Sequence, residues 1–218
     1  GSVMAGQKRE AGRAAGYKLL IFGILTLCVI LIAVFAPYLT PYDPYAQDLS
    51  NALQPPGPGH LLGTDRYGRD MLSRVIMGSR TTIFSALLLV AIITLAGGTI
   101  GIVCGYYGGK LDSFLMRVSD VFLAFPGMVF WWTSYARMTR SKVLAVKDAP
   151  YIMAARLSGS GTWKIIRKHI IPNIAGQVIV TAVLDIGTMI MEISGLSFLG
   201  LGAAPPTAEW GSMMSNGR

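Results

Sequence analysis

The sequence predicts an all-α fold, a polytopic transmembrane helical bundle, on three observations. The chain has 218 residues, 52% of them hydrophobic and 14% charged, with a mean hydropathy of +0.52. That charged fraction is well below the roughly 25% of soluble domains. Apolar runs of about bilayer length occupy Leu19–Ala36, Thr82–Tyr106 and Asn173–Ile193. The net charge of +8 flanks these runs and forms no single patch interleaved with aromatics, so it reads as membrane topology and argues against nucleic acid.

In chain order, residues 1–18 form a basic tail (Lys8, Arg9, Arg13, Lys18), expected to lack regular structure and to lie in the cytoplasm. The first span, 19–36, is too long for the apolar core of a signal peptide and has no small-x-small exit before Pro37. Residues 37–81 are expected as an extracytoplasmic loop, rich in proline and carrying Tyr38, Tyr42 and Tyr45. Within it, Thr64-Asp65 is placed to cap a helix reaching Arg80. Arg66, Arg69, Arg74 and Arg80 on this side go against the positive-inside rule, which weakens for long loops.

The second span carries Gly97, Gly101 and Gly105 at intervals of four, a stripe that admits a close helix neighbour or simply a permissive membrane helix. Tyr106-Tyr107-Gly108-Gly109 then turns the chain, and a third span starts near Leu111. The run Val121–Trp132 is too short to cross twice or to hold both a third and a fourth span, since one crossing needs roughly 20 apolar residues. The fifth span, Asn173–Ile193, leads into a small-residue, re-entrant stretch Ser194–Ala204 and then Pro205-Pro206. Cys28 and Cys104 lie far apart within apolar runs and read as packing residues.

Between spans, Tyr151–Pro172 (YIMAARLSGSGTWKIIRKHIIP) is the polar interruption with internal order. A helix starts it, Ser158-Gly159-Ser160-Gly161 breaks it, and a second helix resumes over Trp163–Ile171. Ile166 and Ile170 share one face, while Lys164, Arg167 and Lys168 fall on others. The pair fits a protein-docking element, and it also fits a basic loop resting on anionic lipid.

Ala154-Ala155, Gly159 and the closing Ile171-Pro172 resemble the "EAA" loop of ABC-importer permeases, with Met153 where that loop has Glu and His169 where an aliphatic residue is usual. LLGTDRYGRDMLSRVIMGSRTT (61–82), GYYGGKLDSFLMRVSDVFLAFPGM (105–128), YARMTR (135–140) and GLSFLGLGAAPPTAEWG (195–211) are similar to the dipeptide/oligopeptide/nickel importer permeases. The resemblance implies a type I ABC-importer permease of the bacterial inner membrane, multi-pass with a cytoplasmic N-terminus. Ala154, Ala155, Gly159 and Gly161 would form its cytoplasmic coupling helix region. It implies a second permease subunit, two ATP-binding subunits that hold ATP and Mg, and an extracytoplasmic substrate-binding protein. It also implies that the permease core, 82–218, lacks one span's worth of chain between Phe130 and Trp131, where Met128-Val129-Phe130 would lead outward, so that a fourth span survives only as its inner end, Trp131–Arg140, and that it lacks a further inward span after Arg218.

No catalytic, cofactor or metal constellation is present in the sequence. GxxxxGK[ST] and HExxH are absent, and His60 and His169 fall on opposite sides of the expected membrane. Asp185 and Glu192 are acids in an apolar span, seven residues apart on one helix face. An intramembrane charge is costly, so each lines a translocation path or bonds a neighbouring helix. LDIGTMI (184–190) and PPTAEWG lean to the nickel branch of the family, since the peptide branch tends to have Gly at the place of Asp185. The chain is thus expected to be a permease for nickel, nickel chelates or short peptides, with no ATP hydrolysis of its own. A membrane-embedded enzyme or a passive channel is the alternative.

Overall fold

A computed structural model of the chain describes residues 2–123, 131–204 and 206–216. Helices follow in the order α1 (Ser2–Leu39), α2 (Met71–Tyr107), α3 (Gly109–Leu123), α4 (Trp131–Val146), α5 (Pro150–Leu157), α6 (Thr162–Ile165), α7 (Ile171–Phe198) and α8 (Trp210–Asn216). No strand occurs among the described residues. Three segments are long and apolar enough to cross a membrane: Leu20–Leu39, Met71–Tyr107 and Thr162–Phe198. The chain divides into two compact units, residues 1–84 with 193–218, and residues 85–192.

In the first unit, α1 corrects the expectation of an irregular tail, because residues 2–18 are helical and continuous with the first span. Good helix formers such as Gln7, Lys8, Arg9, Glu10 and Ala11 lie directly on a preformed span, so no new nucleus is needed. Leu20, Phe22, Ile24 and Leu27 are exposed, as suits a helix facing lipid, while Ala33 and Ala36 are buried.

The segment from 40 to 70 is tightly organised. Asp48 caps a short 3-10 turn, Leu49–Asn51, by accepting from the Ser50 amide. Gly68, at φ +72°, presses so closely that a Cβ would lie 1.7 Å from the Asp48 carbonyl oxygen. The expected cap at Thr64-Asp65 is not where the helix begins. α2 starts at Met71, and the Asp70 carboxylate caps it by accepting from the Ser73 amide at 2.8 Å. Thr64 instead ties the loop together, donating to the Asn51 carbonyl and accepting from the Gln54 amide. Asp65 accepts from the Tyr67 and Arg69 amides, a local turn that competes with helix.

Two of the four arginines that go against the charge rule have internal work. Arg69 and Arg74 are 3% and 2% exposed, and both approach Asp65, at 2.7 and 3.7 Å. Burial pushes the Asp65 carboxyl up, but the hydrogen bonds from Arg69 and the backbone outweigh it and hold it below the usual aspartate range.

At the C-terminal side, α7 runs to Phe198, so the first part of the stretch expected to re-enter is ordinary helix, closed by Gly200 at φ +86°. The EWG motif is a clasp. Buried Glu209 accepts from the Gly211 and Ser212 amides at the start of α8. Trp210 donates its ring N–H to the Val75 carbonyl at 3.0 Å and packs where a Cβ on Gly78 would meet its ring at 2.9 Å.

In the second unit, the glycine stripe of α2 packs on α4. A Cβ at Gly97 would lie 2.3 Å from the Trp132 oxygen, at Gly101 2.4 Å from the Ala136 oxygen, and at Gly105 2.7 Å from Val143 Cβ. Helices α3 and α4 are joined by two ion pairs, Arg140–Asp112 and Arg137–Asp120. α3 is 15 residues long and is not among the membrane-length segments. α4 extends six residues past the expected inner end at Arg140, to Val146. The outward lead at Met128-Val129-Phe130 lies outside the described residues.

Candidate coupling surface and intramembrane carboxylates

The 151–172 segment is built on an aliphatic core. Ile152 of α5, Ile165 of α6, Ile166 and Ile170 of the following turn, Ile174 of α7 and Val143 of α4 form one buried cluster. Each such side chain contributes about 1.5–3 kcal/mol when taken out of water. Pro150 opens α5 at a position where its missing N–H costs nothing. At the other end Gly159 has φ +76°, and the Ser160 amide donates back to the Ala155 carbonyl at 3.0 Å. Gly161 is different, with φ −65° as the residue before α6, so its backbone does not require glycine.

The second arm is not a separate short helix. After α6 a π-helical turn over Ile166–Ile170 carries the chain straight into α7. The Ile171 amide donates to the Ile166 carbonyl, five residues back. Pro172 in the first turn of α7 explains this. Its ring would strike the carbonyl four residues earlier in a regular helix, and the wider turn makes room. The expected break at Pro172 is therefore a local widening, and the bend at Gly159 is rigidly coupled to a membrane-length helix.

The outer face of this element is apolar. Tyr151, Met153, Leu157 and Trp163 are exposed, Leu157 at 90%. Of the small pair, Ala154 is exposed whereas Ala155 is half-buried and packs against the isoleucine cluster. Ala154 is thus the more exposed of the two alanines expected to form the surface. Lys164, Arg167 and Lys168 are exposed, and Arg156 stands 5.4 Å over the Tyr106 ring. Met153 and Leu157, spaced i, i+4, were the signal for this face that sequence reasoning passed over.

Asp185 and Glu192 part company. Asp185 is half-buried and accepts a hydrogen bond from the Tyr135 hydroxyl of α4 at 2.6 Å, while Glu192 is exposed. Tyr135 itself is 3% exposed. It lies 50 residues from Asp185, and nothing in the sequence announces the pair. The Asp112–Arg140 pair, 28 residues apart, is equally silent in sequence. Among the described residues, no group of three or more His, Cys, Asp or Glu could hold a metal.

Residues 127–218 match the family described as the inner membrane component of binding-protein-dependent transport systems, and residues 19–56 match the N-terminal TM domain of oligopeptide transport permease C. The probable D,D-dipeptide transport system permease protein DdpC of Escherichia coli (strain K12) is 36% identical, over 89% of this chain and 73% of its own length. The chain belongs to this permease family. The dipeptide transport system permease protein DppC of Haemophilus influenzae is 35% identical, over 89% of this chain and 76% of its own. The nickel transport system permease protein NikC of Escherichia coli (strain K12) is also 35% identical, over 89% and 78%. As a member of the family the protein is a helical, multi-pass membrane permease of an ABC importer, and the reading as a membrane enzyme or a passive channel falls away.

Proposed function

We propose that this permease docks its α5–turn–α6 segment into an ATP-binding partner subunit and transmits the partner's movement to α7. The observation that carries this is the exposed face of Met153, Ala154 and Leu157 on α5, with Trp163 exposed on α6, over a core of buried isoleucines. An apolar face on a firm base suits a groove, whereas a lipid-resting loop would present its lysines and arginine as the leading surface. The π-helical continuity from Ile166 into α7 supplies the lever.

The complex we propose contains a second permease subunit, two ATP-binding subunits that hold ATP and Mg, and an extracytoplasmic substrate-binding protein. In it the N-terminus and 141–172 face the cytoplasm and 37–81 faces outward. The cargo is nickel, a nickel chelate or a short peptide, and the Asp185 carboxylate favours a cationic one. The Haemophilus alignment runs over 223 positions, more than the 218 residues of this chain. That supports the reading of an internal shortfall, and the short apolar run before Trp132 suits a position between Phe130 and Trp131.

Ala154→Glu tests the coupling surface. An unpaired charge in a docked interface costs about 2–5 kcal/mol, a loss of roughly 30- to several thousand-fold in affinity. The variant is expected at normal membrane levels, with the ATP-binding subunits lost on purification and uptake abolished. Full retention of those subunits with normal uptake would refute the assignment.

A further inference from the structure

Helix α3, in the unit formed by residues 85–192, carries the charged side chains Lys110, Asp112, Arg117 and Asp120. The two acids are engaged by α4, Asp112 by Arg140 and Asp120 by Arg137. Lys110 and Arg117 are exposed and make no ion pair among the described residues.

At about 3.6 residues per turn the helix sorts into strips. Buried Asp112 and Ser119, with half-buried Leu115 and Met116, make up the packed side. Around the exposed side, Asp120 and Ser113 form a polar edge, Arg117 and Lys110 a cationic line, and Val121, Phe114 and Leu111 an apolar edge. Phe114 is 66% exposed and Val121 62%. A face turned only to water gains nothing from large apolar side chains, and one turned only to acyl chains leaves two cations unpaired. The gradation from polar through cationic to apolar suits the boundary between headgroups and acyl chains.

This face also begins where a lipid-facing helix ends. Leu88, Ile92, Leu95 and Tyr107 of α2 are exposed on the side away from the glycine stripe. Tyr107 has the side-chain chemistry of the membrane interface. Lys110 follows it directly after a turn in which Gly108 and Gly109 take φ of +63° and +66°. The ion pairs to α4, which packs on α2 along the stripe, hold α3 at that end.

We propose that the exposed face of α3 binds anionic phospholipid, with Lys110 and Arg117 on the headgroup and Leu111, Phe114 and Val121 against the acyl chains. The binding requires neither the coupling surface nor a particular orientation of the chain.

The test uses the full chain, with Cys28 and Cys104 replaced by serine, in nanodiscs of phosphatidylcholine. A bimane fluorophore on Phe114→Cys is exposed to trace phospholipid with a nitroxide near the top of the acyl chain, either phosphatidylglycerol or phosphatidylcholine. Each cation near an anionic headgroup is worth roughly a fivefold preference, so phosphatidylglycerol is expected to quench at least about threefold more strongly. Excess soluble glycerol phosphate should not relieve the quenching, because it has no acyl chains. Lys110→Gln combined with Arg117→Gln should bring the two lipids to equal quenching. Unchanged helical circular dichroism and unchanged quenching by phosphatidylcholine would show that this double variant keeps its fold and position. Equal quenching in the parent chain, quenching by neither lipid, or a preference that persists in the double variant overturns the proposal. Relief by glycerol phosphate also overturns it, in favour of a free-anion site. So does loss of the quenching in the assembled importer, since a protein would then cover the face. Each of these failures leaves the coupling surface standing, because its test reads retention of the ATP-binding subunits.

Discussion

Two glycines three residues apart on α2 should respond in opposite directions to the same substitution. At Gly101 a Cβ would sit 2.4 Å from the Ala136 oxygen, 2.7 Å from Thr139 Cβ and 2.9 Å from the Arg140 amide nitrogen. At Gly98 it would meet nothing within 4 Å. A carbon needs roughly 3.5 Å from such neighbours, so Gly101→Ala drives α2 and α4 apart by about 1 Å. Overpacking of this kind costs about 1–3 kcal/mol. Both variants gain up to about 1 kcal/mol from replacing glycine within a helix. The gain is common to the two, so their difference, about 1–3 kcal/mol with Gly98→Ala the more stable, isolates the helix–helix contact. Equilibrium unfolding in mixed micelles, followed by loss of helical circular dichroism, measures it. Trimming Thr139 to Ala in the Gly101→Ala background should give little rescue, because the nearest obstacle is backbone. If the two variants shift alike, within about 0.5 kcal/mol, the stripe is not a packing seam.

The Asp185–Tyr135 bond separates a path role from a packing role. If the carboxylate attracts cargo, Asp185→Asn should lose uptake of a cationic substrate at unchanged stability. If the bond only joins helices, Asp185→Asn and Tyr135→Phe should each destabilise by roughly 0.6 kcal/mol, the average for such bonds, and leave uptake alone. In the 40–70 segment, burial pushes the Asp70 carboxyl up, but the hydrogen bonds from Ser73 and His60 prevail, and it titrates below its ordinary value, as Asp65 does. Groups depressed in the folded state stabilise it fully above their unfolded value, and that contribution fades as pH falls through the folded one. Proteolysis of this segment should therefore be flat from about pH 5 to 8 and rise below about pH 4, with Asp65→Asn raising it at neutral pH. For topology, in a chain with Cys28 and Cys104 replaced by serine, a cysteine at Pro58 should react with an impermeant thiol reagent on whole cells, and one at Ser160 should not. The reverse labelling would invert the orientation.

Composition and periodicity by themselves determined that the chain is a membrane-spanning helical protein. They located the three long apolar helices, the close-packing stripe Gly97–Gly101–Gly105 and the break at Gly159. Each of these depends on residues near in sequence: a hydropathy window, a repeat of four, a glycine that tolerates positive φ. What tertiary structure decided depends on chain segments far apart. Asp70 caps α2 in place of Thr64-Asp65, because Thr64 is engaged by Asn51 and Gln54. Arg69 and Arg74 are interior because one aspartate and two proline carbonyls receive them. Ala155 turns inward while Ala154 stays out, since the isoleucine cluster lies on one side of α5 only. The Tyr135 hydroxyl of α4 meets Asp185 of α7 across 50 residues of sequence. A sequence window sees spacing along one helix. Which helix lies opposite is set by packing, and packing chose Arg140 for Asp112, Tyr135 for Asp185 and the Pro44 and Pro206 carbonyls for Arg74.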